Sequence, residues 1–227
     1  MTGLVVVAHG TRRLLGNAVA SIIAKRAERR LRIESRAAYV ELCEPLLPDV
    51  LADGRPWVVV PLLLSTGYHV NVDLPRAAEG LPVTMGCALG PDPLLASAQV
   101  SRLVAAGATP GQSVVLIAAG SNDPAARVDI AAAGAMLETA WGGPVRVATV
   151  SGSGAPALDQ VVRPGDAVAP YLLAPGLFSD LVRARSEAAG ADVVADVIGP
   201  HPDVVELVVR RAAALLGDAD LTRGEVS

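Results

Sequence analysis

The stretch LVVVAHGTRR, residues 4–13, sets the pattern that the rest of the chain repeats. Its first five residues are apolar and mostly β-branched, which predicts a strand buried on both faces of a parallel sheet. The apolar run stops at His9 and Gly10, and a helical pattern follows. A histidine after a first buried strand lies where open α/β sheets bind their ligands. The alternative interpretation is a loop histidine that pairs only with backbone groups.

Composition narrows the possible classes of protein. The 227 residues suffice for one large domain or two smaller ones, and 52% are hydrophobic but only 3% aromatic, so Ala, Val and Leu must build the core. A net charge of −4 argues against a nucleic-acid or anionic-membrane surface. Lys25 is the only lysine in the sequence, which excludes a phosphate-binding loop of the Gly-Lys-Ser/Thr type and with it the usual nucleotide site.

The two cysteines and the apolar runs bear on the location of the protein. Cys43 and Cys87 are far apart in sequence and predict neither a disulfide framework nor a cysteine zinc site. No apolar run reaches the roughly 18 residues of a membrane span, and the N-terminus lacks the pattern of a signal peptide. We therefore expect a soluble, cytoplasmic protein that does not bind membranes.

Strand-like and helix-like segments alternate along the chain, which predicts an α/β fold with parallel sheets flanked by helices. The predicted strands are 4–8, 33–40, 57–64, 82–88, 114–118, 145–150, 167–171 and 192–198. The predicted helices are 17–30, 45–52, 94–106, 124–140, 178–189 and 202–216.

The pattern restarts after residue 112, which indicates an internal repeat. VVVAHGTRR (5–13) aligns with LIAAGSNDP (116–124), and VVVPLLLSTGYHVNVDL (58–74) aligns with DAVAPYLLAPGLFSDLV (166–182). We predict two Rossmann-like halves, 1–108 and 112–216, that face one another across a cleft with pseudo-twofold symmetry, and a polar tail over 217–227. Chance similarity between hydrophobic strands is the alternative.

The histidines differ between the two halves. The repeat aligns His9 with Ala119 and His69 with Phe178, so the same turns do not need a polar residue, and this favours a function for the histidines. Both follow predicted strands, and Glu41 ends the strand between them, so all three should reach one sheet edge. Two imidazoles and a carboxylate suit a divalent first-row metal with open coordination positions. A surface role for Glu41, and Glu44 as a competing carboxylate, stay open.

Several motifs together resemble the sirohydrochlorin chelatases, the small class II tetrapyrrole chelatases. They are AHGTRR (8–13), YVELCEP (39–45), VVVPLLLSTGYHVNVDLP (58–75), GSNDP (120–124), PYLLAPG (170–176) and IGPHPDV (198–204). The resemblance implies a ferrochelatase-like fold whose metal site lies in the N-terminal half, on His9, Glu41 and His69, with both histidines catalytic. It implies a lyase that inserts a divalent metal into sirohydrochlorin without using a nucleotide. The metal is Fe²⁺ on the route to sirohaem, or Co²⁺ on the route to cobalamin. Thr11 stands where serine is commoner in the family.

A tetrapyrrole rimmed by carboxylates needs cations and hydrogen-bond donors on an acidic protein. Arginine recognises carboxylates in a bidentate manner, and helix N-termini offer backbone N–H groups. We therefore expect substrate contacts from residues around the two histidines, although a solvated surface arginine is the alternative for each cation. These residues are Gly10, Thr11, Arg12, Arg13, Gly67 and Arg76.

Three further questions stay open in the sequence. A carrier that binds a metal or tetrapyrrole without exchange would need similar ligands, whereas a histidine phosphatase would need an arginine where Ala8 stands. His201 fits either the entry to the last helix or the lining of the site. Two fused halves favour a monomer, and a dimer stays open.

Overall fold

The computed structural model describes residues 2–224, and the contacts within the chain divide it into two units. Unit 1 comprises Met1–Leu89 and Val204–Ser227, and unit 2 comprises Gly90–Asp203. The boundary between residues 108 and 112 was predicted from the sequence repeat, and it stays a prediction. By contacts, the helix that precedes this boundary belongs to unit 2, and most of the last helix belongs to unit 1.

Unit 1 is built on a parallel four-stranded sheet in the order β2-β1-β3-β4. Its apolar strands are buried because helices cover the sheet, and Trp57, at 1% exposure, is among the largest buried side chains. The elements in chain order are β1 (Gly3–Ala8), α1 (Leu14–Leu31), β2 (Ser35–Tyr39), α2 (Leu47–Leu51), β3 (Trp57–Pro61), a π-helical turn (His69–Asp73), α3 (Leu74–Ala78) and β4 (Val83–Met85).

Unit 2 repeats the same plan in the order β6-β5-β7-β8, again with parallel neighbours. Its elements are α4 (Pro93–Ala105), β5 (Val114–Ala118), α5 (Pro124–Trp141), β6 (Val145–Thr149), α6 (Leu158–Val161), β7 (Ala167–Pro170), α7 (Leu177–Ala188) and β8 (Val193–Val194). The last helix, α8 (Pro202–Gly224), starts at the end of this unit. The predicted α/β class with two similar parallel-sheet halves is confirmed.

The strand order determines where unit 1 exposes functional groups. The chain leaves β1 for β2 on one side and then passes to β3 on the other side, so β1 and β3 form the switch point of the sheet. In this type of sheet the loops after the switch-point strands diverge and leave a crevice at the carboxyl edge. His9 follows β1 directly, and His69 follows β3 after a short loop.

Several predicted segments differ from the structure. The strands predicted over 82–88 and 192–198 are shorter, as β4 and β8, and the short helices α3 and α6 were not predicted. His69 was expected in a loop, but it begins the π-helical turn, because Asn71, Asp73 and Pro75 are weak helix formers that hide the helical pattern. The last helix was expected to end at residue 216, but α8 continues to Gly224, since a single glycine at 217 costs too little to end a helix. Residues 225–227 of the predicted tail lie outside the described part.

A helix that crosses a membrane must be long and apolar, and the helices of the described part differ from such a span. Among them, none is long and apolar enough to cross a membrane.

Candidate metal centre

His9 is held at the end of β1 by the backbone of the next loop. The carbonyl of His9 accepts a hydrogen bond of 3.0 Å from the N–H of Glu41, which continues the β1–β2 ladder past its last paired residues. Gly10 has a φ of +98°, and a Cβ at this position would lie 1.9 Å from the carbonyl oxygen of Glu41. Only glycine therefore lets the two loops approach each other closely enough to place His9 beside Glu41.

Asn17, near the start of α1, fixes the loop that follows His9. Its side chain accepts a bond of 2.9 Å from the N–H of Thr11 and donates one of 2.7 Å to the carbonyl of Thr11. The hydroxyl of Tyr39 in turn donates to the carbonyl of Asn17 at 2.8 Å. Burial raises the pKa of Tyr39, so this hydroxyl remains a donor at neutral pH. Sequence reasoning treated Asn17 only as the start of a helix, since its spacing to Thr11 has no motif.

The π-helical turn supplies His69 together with an acidic partner. Nδ1 of His69 lies 2.6 Å from a carboxylate oxygen of Asp73, four residues further along the turn. Nε2 is then the ring nitrogen that is able to bind a metal, and the carboxylate fixes the orientation of the ring. Sequence reasoning missed Asp73, although a spacing of four from a candidate ligand becomes informative once the segment is known to be helical.

The three predicted ligands meet at the carboxyl edge of the sheet. One potential ligand atom from each of His9, Glu41 and His69 lies within 4.8 Å of the other two. Nε2 of His9 is 3.4 Å from a carboxylate oxygen of Glu41, and the two imidazole rings are 4.7 Å apart, edge to face. Two ligands of one tetrahedral metal ion, each at about 2.1 Å, are about 3.4 Å apart. A spacing within 4.8 Å is close to the one that a shared ion requires.

The carboxylate that joins the cluster is Glu41, not Glu44. The side chains of His9 and Glu41 are partly exposed, at 45% and 51%. Within residues 2–224, this is the one group of at least three His, Cys, Asp or Glu side chains close enough to hold a metal. Its exposure leaves room for a ligand from outside the protein to reach the same ion.

The predicted substrate contacts have different environments in the structure. Arg12, Arg13 and Arg76 are all exposed. The hydroxyl of Thr11 accepts a bond of 3.3 Å from the N–H of Arg13, so it holds the loop in place. Gly67 is half-buried and has open space where a Cβ would lie. Its carbonyl accepts a hydrogen bond of 2.9 Å from the N–H of Asn71, a residue of the π-helical turn.

His201 has a local structural contact in unit 2. Its Nδ1 accepts a hydrogen bond of 3.2 Å from the N–H of Asp203 and so satisfies a donor at the start of α8. Burial lowers the pKa of His201, Arg102 lowers it further, and the carboxylate of Asp203 acts in the opposite direction. These contacts favour the helix-entry interpretation of His201.

The second half keeps the same turns but lacks the three ligands. The N–H of Ser151 donates to the carbonyl of Ala119 at 3.2 Å, which matches the bond between Glu41 and His9. Phe178, which the repeat aligns with His69, is the second residue of α7 and is 45% exposed. The backbone of this edge therefore forms without histidines, and their presence in unit 1 needs another explanation.

Comparison with protein families gives a match over both halves. A family model described as CbiX matches residues 3–106 and again residues 113–215. Comparison with curated protein sequences gave no significant match.

Solved structures with the same fold include several chelatases. SirB from Bacillus subtilis with Fe³⁺ is 21% identical and has a TM-score of 0.80, with 96% of this chain and 97% of that chain covered. The sirohydrochlorin chelatase SirB from B. subtilis subspecies spizizenii, in complex with cobalt, is 22% identical with the same TM-score and 96% coverage of each chain. CbiX, the terminal enzyme for biosynthesis of siroheme in denitrifying bacteria, is 20% identical with a TM-score of 0.72, over 93% and 98% of the two chains. At such identities the likeness concerns the fold.

Proposed function

The chain belongs to the CbiX family, and we propose that it is a sirohydrochlorin chelatase, a lyase-type enzyme that inserts Fe²⁺ or Co²⁺ into sirohydrochlorin without a nucleotide. The observation that carries the proposal is the convergence of His9, Glu41 and His69 within 4.8 Å at the carboxyl edge of the first sheet. The relatives of the same fold include a SirB with Fe³⁺ and a sirohydrochlorin chelatase with cobalt. Sirohaem and cobalamin biosynthesis are the two routes that use these products.

The ligand set suits a metal that must be passed on. Imidazole and carboxylate bind both Fe²⁺ and Co²⁺, and three protein ligands leave open positions on the ion. The nitrogens of the macrocycle are able to occupy these positions and then displace the protein ligands one by one. A site closed by four protein ligands would bind more tightly and would release the metal more slowly.

The same side chains are able to accept the protons that the reaction releases. Charge balance requires two pyrrole protons to leave as one divalent metal enters the ring. As a protein ligand leaves the metal, its nitrogen or oxygen becomes a base next to the macrocycle, within reach of a pyrrole N–H. We assign this role to His9 and His69, and the carboxylate of Asp73 stabilises the cation that forms on His69.

We assign the carboxylates of sirohydrochlorin to Arg12, Arg13 and Arg76. Arg12 and Arg13 lie three and four residues after His9, and Arg76 lies seven residues after His69. All three are exposed, and guanidinium groups bind carboxylates in a bidentate manner. Gly67 contributes by keeping the approach to His69 free of a side chain, and Gly10 contributes by letting the loop of Glu41 lie close to His9.

We also propose that the reaction takes place in the cytoplasm and that one chain is the active unit. The support for a monomer is the sequence, in which two similar halves are already fused. A measurement of molecular mass in solution tests whether the protein is a monomer, and the mass of a dimer would contradict the proposal.

Metallation of the macrocycle is the direct test. Sirohydrochlorin and Co²⁺ or Fe²⁺ are incubated without oxygen, and the change in the absorption spectrum of the macrocycle is followed with wild type, His9→Ala and no protein. We expect the wild type to accelerate metallation and His9→Ala to abolish most of the acceleration. Equal rates for the two proteins would refute the enzyme, and tight metal binding without acceleration would indicate a carrier.

A further inference from the structure

Leu42, the residue after Glu41, has an unusual backbone conformation. Its φ is +65°, in the left-handed region that side chains with a Cβ rarely adopt. In the described part of the chain only two residues other than glycine have a positive φ, Leu42 and Arg32. Leu42 lies within a turn that is closed by a hydrogen bond from the N–H of Tyr39 to the carbonyl of Pro45.

The second half makes a related turn, one residue longer, in which the N–H of Thr149 donates to the carbonyl of Pro156. The bond from the N–H of Ser151 to the carbonyl of Ala119 fixes the register, and it aligns Leu42 with Gly152, whose φ is +73°. Glycine adopts this conformation readily. The second half therefore meets the positive φ with a glycine, whereas unit 1 carries a leucine there despite the strain.

Burial does not repay the strain at Leu42. The residue is 50% exposed, whereas strained residues without a function are usually held by packing around them. A second large side chain with apolar character, Tyr68, is 62% exposed next to His69, with its ring 6.3 Å from the imidazole. Exposed apolar side chains thus adjoin two of the three candidate ligands, and ligand sites are lined mostly by hydrophobic and aromatic side chains beside a few polar groups.

We propose that Leu42 is a positioning residue that packs against the apolar face of the tetrapyrrole and holds it over the metal. The inference rests on the proposed function and adds a residue to it. The arginines recognise the rim of the macrocycle, whereas the part of its flat face away from the central nitrogens has no polar groups to pair and is best covered by an aliphatic side chain. Leu42 is in the right place because it follows Glu41 directly, and its strained backbone presents the side chain at the surface.

Two substitutions at Leu42 separate the side chain from the strain. Leu42→Gly removes both, and Leu42→Ala removes most of the side chain while the positive φ remains. We expect both variants to raise the KM for sirohydrochlorin about fivefold, because the substrate loses its contact with the exposed half of the leucine side chain. The kcat and the Kd for Co²⁺ alone should stay as in the wild type, since the ligands are untouched. Leu42→Gly should also unfold at a higher urea concentration than Leu42→Ala.

The chain offers a matched control at Arg32. Arg32 has a φ of +58° at the end of α1, and the repeat aligns it with Gly142, whose φ is +73°. It lies at the opposite end of an 18-residue helix from His9, about 27 Å along the helix axis. Arg32→Gly makes the same kind of change away from the candidate site, and we expect it to leave the KM for sirohydrochlorin unchanged.

The outcomes distinguish this inference from the proposed function. If the wild type neither binds nor metallates sirohydrochlorin, the proposed function fails and the inference fails with it. If the wild type is active and Leu42→Ala and Leu42→Gly keep its KM, only the inference is overturned. A loss of Co²⁺ affinity in proportion to the rise in KM would also overturn it, because Leu42 would then act on the metal ligands.

Discussion

Removal of Asp73 tests whether the carboxylate next to His69 prepares this histidine for metal binding. Asp73→Ala deletes the partner of Nδ1, and Asp73→Asn keeps an oxygen at the same place without the charge. Both leave the three candidate ligands in the chain. We expect both substitutions to weaken the binding of Co²⁺, and Asp73→Ala to weaken it more than Asp73→Asn.

The contact between His69 and Asp73 sets the size of the effect. A hydrogen bond of 2.6 Å to a charged group contributes about 1.5–3 kcal/mol. The side chains are 33% and 29% exposed, so solvent screening favours the lower end, about 1.5 kcal/mol, or about tenfold in Kd. A neutral hydrogen bond is about half as strong, so Asp73→Asn should lose about threefold.

Titration with Co²⁺, followed by calorimetry and by the visible absorption of the ion, measures these changes. Glu79→Gln is the matched control, because Glu79 is an exposed carboxylate in the same segment and its substitution changes the net charge by the same amount. We expect this control to bind Co²⁺ as the wild type does. Wild-type affinity in Asp73→Ala, or an equal loss in Glu79→Gln, would refute the reasoning.

Three further predictions concern other parts of the chain. Co²⁺ binding should weaken about 100-fold in each of His9→Ala, Glu41→Ala and His69→Ala, since one ligand in a set of three contributes about 3 kcal/mol. His201→Ala should bind Co²⁺ as the wild type does. An unchanged Kd in any of the first three variants would contradict the ligand set. Gly10→Ala should lower the free energy of unfolding by at least about 2 kcal/mol in urea, because its Cβ would lie 1.9 Å from a carbonyl oxygen at a φ of +98°; a wild-type unfolding midpoint would contradict this. Burial lowers the pKa of His201, so its stabilising contribution is complete above the unfolded pKa of about 6.5 and is lost as the pH falls. Between about pH 7.5 and about pH 5.5, the wild type should therefore lose more stability than His201→Gln in urea, and parallel losses would contradict the assignment.

Periodicity in the sequence was sufficient to predict the parallel sheets and to place the two histidines at one sheet edge. Strands buried on both faces appear as continuous apolar runs, and the carboxyl ends of parallel strands must lie at one edge. The segments 114–118 and 124–140 were predicted almost to the residue for this reason. The repeat then showed that His9 and His69 are absent from an otherwise similar half, which indicated a function before any distance was known.

The parts that sequence reasoning missed depend on backbone conformation rather than on pattern. Asp73 meets His69 only because the segment winds into a π-helical turn, and its polar residues give no periodic signal of one. The bonds of Asn17 to the loop after His9 join residues whose spacing follows no motif. The strain at Leu42 is invisible in the sequence, since leucine gives no sign of a positive φ.

The sequence by itself therefore determined the fold class, the repeat and the two candidate histidines, because hydrophobic burial imposes regular patterns on the chain. Only the tertiary structure decided that Glu41 rather than Glu44 joins the two histidines, and that Asp73 orients one of them. The physical reason is that such choices depend on a few ångströms and on the direction of single side chains. Turns, close backbone contacts and φ angles set these quantities, and none of them is periodic.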